Sequence, residues 1–345
     1  MRKVCCRKKT LRSSRKPSRP LRLKTPQTLE LVIFHKKNNL SCNILIVLVS
    51  KERIRLINNL KLLKMKKYII LIIAFLFSAL CLNVFGQTRQ FPFEILKTGN
   101  GDQSIIFIPG FASSGDVWNE TKAAFENDFT CYTLTMAGFA GIKPQSNASF
   151  ENWKNGIVNY IKDNTIEKPI LIGHSMGGGL ALAIASDYPD LISKIVVVDA
   201  LPCLAALNDP AFKSKINNDC SSTVNQMTGL TNDQFYAMQK KTMQRLLANT
   251  SKMDMVVDWS VKSDRTTFGQ MYCDFFNVDL RDRISQIKCP ALILLESYFI
   301  NLKPAIEDQY KNLKTANFQY ATNGLHFIMY DDTAWYLEQL STFLK

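Results

Sequence analysis

The chain has 345 residues, enough for one large α/β domain with a sizeable core. Its net charge of +14 would suggest a nucleic-acid or anionic-membrane partner, but residues 1–86 hold 20 of the 43 Lys and Arg and 2 of the 29 Asp and Glu. From Gln87 onward 23 basic residues face 27 acidic ones, a net of −4, so the basic balance says nothing about what the folded part binds.

From Met65, "MKKYIILIIAFLFSALCLNVFGQ" opens on Lys66 and Lys67, runs apolar from Tyr68 to Leu82 and closes on Gly86. That is the three-part plan of a secretory signal peptide, short for a membrane-spanning helix. The expectation is export to the periplasm or medium, with no stable membrane span once the segment is cut. Residues 1–64 then read as a basic leader upstream of the true start at Met65, and "NILIVLVS" within them as an apolar run without a partner.

Five of the nine cysteines follow Gly86. None forms a C-x-x-C pair with metal-like spacing, so neither a metal nor a cofactor is expected. One disulfide is compatible with export, Cys203–Cys220 or a pair involving Cys273. Cys131 and Cys289 flank strands and read as small buried hydrophobes.

Beyond residue 93 apolar runs alternate with helical patterns, which predicts a mostly parallel sheet flanked by helices. Strands are expected at 104–110, 131–141, 168–173, 193–200 and 289–296. Helices are expected at 149–163 and 177–189, and a last one from about Thr333. Residues 201–288 separate two of these strands by about three times what a plain crossover needs, and their pattern is helical. Thr231 and Gln234 stand at capping-box spacing ahead of Phe235, Met238, Met243, Leu246 and Leu247. Residues 87–345 therefore read as one domain with a helical cap inserted at 201–288. Six of the eleven methionines fall in that cap, where they serve either as core or as an adaptable apolar pocket lining.

Gly173-His174-Ser175-Met176-Gly177 is a G-x-S-x-G sequence wedged between a strand pattern and a helix pattern. A sharp strand-to-helix turn exposes such a serine and needs small residues two before and two after it. No phosphate-loop spacing is present. A serine nucleophile needs a base. Of three histidines, His35 lies in the leader and His174 inside the turn, pointing away from the reaction centre, which leaves His326 in "ATNGLHFIMYDD". Donors for a developing oxyanion would be the Met176 N–H and, after "SIIFIPG", the Phe111 N–H.

"FIPGFASSGDVW", "LIGHSMGGGLALA", "DLRDRISQIKCPALIL" and "LHFIMYDD" together resemble the α/β-hydrolase fold family, of the lipase and esterase type with an inserted cap. The resemblance covers residues 93–345. It implies a serine hydrolase that cleaves an ester or related acyl bond through an acyl-enzyme, acting on a small, apolar acyl substrate without nucleic acid. The chain departs from the family at the acid, since "LLESYFINLKP" carries Phe299 and Ile300 where relatives have Asp. Asp199, at the end of the preceding strand, is the expected acid, because some relatives take theirs from that strand end. Glu296 at the strand tip is the alternative, and Asp331 and Asp332 read as caps of the last helix. The missing acid also keeps open a non-hydrolytic ligand-binding protein on the same fold. Around "TMAGFAG" (135–141) the apolar loop argues against a charged substrate group.

Overall fold

The computed structural model describes residues 29–38, 41–84 and 90–345, with side chains from residue 52 onward except at 54 and 76–89. It divides into two compact units, 1–89 and 90–345. In the first, β1 (Leu29–Asn38) and β2 (Ser41–Ser50) form an antiparallel ladder, followed by α1 (Lys51–Val84). The run "NILIVLVS" thus has a partner. Ile44 to Ser50 pair with Leu29 to His35, because two runs rich in β-branched and other apolar residues can form a ladder. Residues Lys66 to Val84 lie in one continuous helix, and the cleavage point at Gly86 falls outside the described residues. Among the described residues no helix is long and apolar enough to cross a membrane.

The second unit is built on β3 (Phe93–Thr98), β4 (Gln103–Ile108), β5 (Phe129–Met136), β6 (Ile170–His174), β7 (Lys194–Val198), β8 (Ala291–Leu295) and β9 (Ala316–Tyr320). Their order in the sheet is β3-β5-β4-β6-β7-β8-β9, with only β3 antiparallel to its neighbour. The inner stretches of the central strands, such as Ile105 to Ile108 and Ile195 to Val198, are apolar because both faces are covered. Ile106 and Ile108 of β4 enter one core cluster, with Trp153 and Ile157 of α3 (Phe150–Asp163) and Leu180 of α4 (Met176–Asp187). Ile105 and Phe107, one residue out of phase, enter the other, with Phe125 of α2 (Asn119–Phe125) and Tyr336 and Leu340 of α11 (Thr333–Leu344). The two-residue period of a strand distributes its side chains this way.

Between β7 and β8 lie α5 (Ser221–Thr228), α6 (Asn232–Leu246), α7 (Met253–Val261) and α8 (Arg265–Phe276). Thr231 and Gln234 close a capping box on α6, and Asp264 caps α8 through the Thr267 N–H. α9 (Lys303–Gln309) follows β8, and the short α10 (Ile328–Asp331) precedes α11.

The disulfide joins Cys220, just ahead of α5, to Cys273 of α8, while Cys131, Cys203 and Cys289 are buried and free. A Cys203–Cys220 pair does not form, because Cys203 lies buried with its N–H donating to Gln309 Oε1, whereas α5 packs directly on α8.

Because the bridge closes 53 residues of sequence, its reduction is expected to lower stability by about 4 kcal/mol on the loop-closure relation. Denaturant unfolding with and without reductant, repeated on Cys273→Ser, measures this. An unchanged midpoint would show that the bridge contributes nothing.

Candidate active site

β6 delivers Ser175 to a turn with φ 53° and ψ −121°, a strained region for a residue with a side chain. Main-chain bonds hold it there: the Ser175 N–H donates to Val198 O at 2.8 Å, and the Gly179 N–H donates to Ser175 O at 3.1 Å. The flanking glycines are sterically required. A Cβ on Gly173 would lie 2.1 Å from Gly177 O, and one on Gly177 would lie 2.2 Å from Ile108 O. Met176 opens α4, so no helical carbonyl claims its N–H. The loop after β4 lies against this turn: a Cβ on Gly110 would meet Ser175 Cβ at 3.3 Å. Among the described residues no protein acceptor receives the N–H of Phe111 or Met176.

Asp199 follows β7 with φ 47° and is buried. Its N–H donates to Leu294 O at 2.7 Å, which ties the strand end to β8. Its carboxylate has two partners. Oδ2 meets His326 Nδ1 at 2.6 Å, and Oδ1 accepts the Glu296 N–H at 2.8 Å. His326 sits on the loop between β9 and α10. Burial alone would push its imidazole pKa down, but the hydrogen bond and charge of Asp199, with the charge of Glu296 added, produce a net rise above 6.5. Ser175, His326, Asp199, Glu296 and Phe111 all line one cavity of about 910 Å³.

His174 does not point away from this centre. Its ring lies tilted beside that of His326 with centroids 4.6 Å apart, and its Nε2 donates to the His326 carbonyl at 2.9 Å. Complete burial, then the neighbouring His326 charge, hold its pKa well below 6.5, so it is neutral and acts as a prop for the loop. Neither Asp331 nor Asp332 caps α11 through its side chain. Asp331 instead accepts the N–H groups of Ala248, Asn249 and Leu325, which binds the His326 loop to the end of α6. The Phe327 N–H adds a bond to Leu246 O at 3.2 Å. No pattern in the sequence announces these clamps, since each joins segments far apart in the chain.

Glu296 is half-buried, and its backbone, not its carboxylate, engages Asp199. Burial first, then the Asp199 charge, push its carboxyl up to about 7. The aromatic ring of Phe111 packs edge-on against Phe139 of the "TMAGFAG" loop and against Phe268 of α8, with centroids 5.1 and 4.6 Å apart. Of the six cap methionines, Met227, Met238 and Met243 line the cavity, while Met253, Met255 and Met271 pack into the core. Among the described residues no group of His, Cys, Asp and Glu could hold a metal ion.

A seven-stranded, mostly parallel sheet with a strained serine turn at its centre and a cap before β8 defines a class. The chain belongs to the α/β-hydrolase fold family, whose model matches residues 103–295, more than half of its length. It is similar to the pimeloyl-[acyl-carrier protein] methyl ester esterase of Wigglesworthia glossinidia brevipalpis, with 24% identity over 202 residues, 58% of this chain and 76% of the relative. It is similar also to the N-formylmaleamate deformylase of Pseudomonas putida, with 21% identity over 72% of this chain and 91% of the relative. The crystal structure of an enol-lactonase from Burkholderia xenovorans LB400 shares the fold with a TM-score of 0.61 and 16% identity, covering 73% of this chain and 96% of that one.

A carboxyl that holds its proton more tightly in the folded chain than in the unfolded one favours folding at low pH. For Glu296 that contribution is complete below its ordinary value of 4.5 and is lost as the pH rises through about 7. Glu296→Gln is therefore expected to melt at a higher temperature than the parent at pH 8 and at the same temperature at pH 4. Thermal unfolding at the two values checks it; equal melting at pH 8 would show that the carboxylate ionises there at no cost.

Proposed function

We propose that this protein is an exported serine hydrolase that cleaves an ester of an uncharged, largely apolar acyl group. The observation that carries this reading is the bond from His326 to the buried carboxylate of Asp199, in the cavity that Ser175 also lines. An imidazole anchored at Nδ1 by a carboxylate presents Nε2 as a base and is stabilised when it becomes a cation. Ser175 Oγ attacks the ester carbonyl while His326 Nε2 takes the hydroxyl proton. The tetrahedral oxyanion rests on the N–H groups of Phe111 and Met176. Collapse breaks the ester bond, and the proton on Nε2 passes to the departing alkoxide, leaving an acyl-serine. Water, deprotonated by the same nitrogen, then releases the acid and restores Ser175.

Three further points support the reading. The relatives named above carry names that describe hydrolysis of an ester in one case and removal of a formyl group in the other. Among the described residues no lysine or arginine lines the cavity, while Asp199 and Glu296 do, which disfavours an anionic substrate. Export rests on the signal-like plan of residues 65–86, to which a disulfide across the cap adds an oxidising compartment.

A fluorophosphonate probe is expected to label the folded protein at Ser175 and not to label Ser175→Ala. With p-nitrophenyl esters, Asp199→Asn should lower kcat by a factor on the order of 10³–10⁴, because the imidazole loses its orienting partner. Glu296→Gln should retain turnover and shift the acid limb of the rate profile to lower pH, since removing that charge lowers the His326 pKa. Full turnover by Asp199→Asn would refute the assignment of the acid. Absence of labelling would favour a binding protein instead.

A further inference from the structure

The cap holds a polar pair that neither the sheet nor the proposed chemistry uses. Gln239 of α6 and Ser260 of α7 are 3% and 0% exposed, and both line the cavity that Ser175 lines. Ser260 Oγ donates to Gln239 Oε1 at 2.8 Å, which turns the amide nitrogen away from Ser260. That leaves the two N–H donors of Gln239 Nε2, to which no acceptor among the described residues is directed. Gln239 lines the cavity with a side chain this buried, so its unpartnered nitrogen is presented to that space. Met243, one turn along the same helix, and Phe268 on α8 line the same cavity, together with polar Thr242 and Gln226. A buried donor without a partner is costly, and a pocket that keeps one selects a ligand able to satisfy it.

The position along α6 gives a distance. Leu246 ends that helix and accepts the N–H of Phe327, the residue after His326. Gln239 lies two turns before it, roughly 10 Å along the helix axis. The donor is thus set about two helical turns back from the contact between α6 and the His326 loop. A carboxylate is a poor occupant, because Glu296 and Asp199 share the cavity and no cation lines it among the described residues.

We propose that Gln239 is a specificity-determining residue, whose amide donates a hydrogen bond to an uncharged acceptor oxygen, a ketone, ether or hydroxyl, near the distal end of the substrate's acyl chain. The proposal rests on the ester reading above and names the acyl class within it. Ser260 is its positioning residue.

The probes are p-nitrophenyl decanoate and the same ester with a ketone oxygen near the far end of the chain. Ser175→Ala protein, which binds without turnover, gives their dissociation constants by calorimetry, and the parent protein gives kcat/KM. The preference for the ketone ester over the plain one is expected to fall about threefold to tenfold on Gln239→Met, in both measurements. In protein with Gln239 intact, moving the ketone two carbons toward the ester should remove the same preference, a readout that does not depend on the variant's folding. An identical ketone-to-alkyl ratio with and without Gln239, equal affinity for both ketone positions, or no binding of either ester overturns the proposal. Failure of the ester reading looks different: the parent then turns over none of these esters, while the affinities on Ser175→Ala still report on Gln239.

Discussion

The end of β7 is the constraint on which the site depends. Asp199 stands there at a positive φ that a residue with a side chain adopts only under restraint, and the restraint is the bond of its N–H to Leu294 O on β8. One strand over, Ser175 is held in its own strained turn by Val198 O, the residue before Asp199. The two unfavourable conformations share one support, the register of β6, β7 and β8. Parallel strands buried on both faces are the stiffest part of such a fold, and local strain persists only where rigid surroundings over-determine it. The imidazole completes the set from a loop, and loops need clamps. His174, Asp331 and Leu246 supply them from three different segments.

Besides the bonds of Asp331 and Leu246, aromatic contact joins the cap to this frame. Phe111, whose backbone lies beside Ser175, puts its ring against Phe268 and Tyr272 of α8. The disulfide anchors α8 to the start of α5. Displacement of α8 would therefore be felt at the loop after β4, where the proposed oxyanion donor lies. On the proposed chemistry, substrate enclosure and charge stabilisation would be linked through the Phe111 ring.

Much of the architecture was legible because buried parallel strands spell themselves as unbroken apolar runs. "PILI", "KIVVV" and "ALILL" need no neighbour to be recognised, and the turn at Ser175 carries its steric demand in the two glycines. His326 stood out by scarcity, since only three histidines exist. The acid was harder. Glu296 occupies the strand tip where a carboxylate is expected, yet it is the main chain of that residue that supports Asp199. Sequence names side chains and is silent about which backbone N–H lies free. The β1–β2 pairing, the partner of Cys273 and the Gln239–Ser260 pair escaped for a related reason. Each depends on which helix or strand faces which, a tertiary fact with no local periodicity.

The placement of the cap between β7 and β8 has a consequence for how the chain folds. Val197 pairs with Ile293 across the whole insert, so the strand contact that restrains Asp199 is a long-range one. At equilibrium the detour is cheap, because each doubling of a closed loop adds only about 0.6 kcal/mol. In time it is expensive, because distant pairings form after local ones. Along the chain the serine comes first, the carboxylate second and the imidazole last, on the far side of the cap. A growing chain therefore carries Ser175 with no base beside it, and on the proposed chemistry it stays inert until the sheet has closed around the cap.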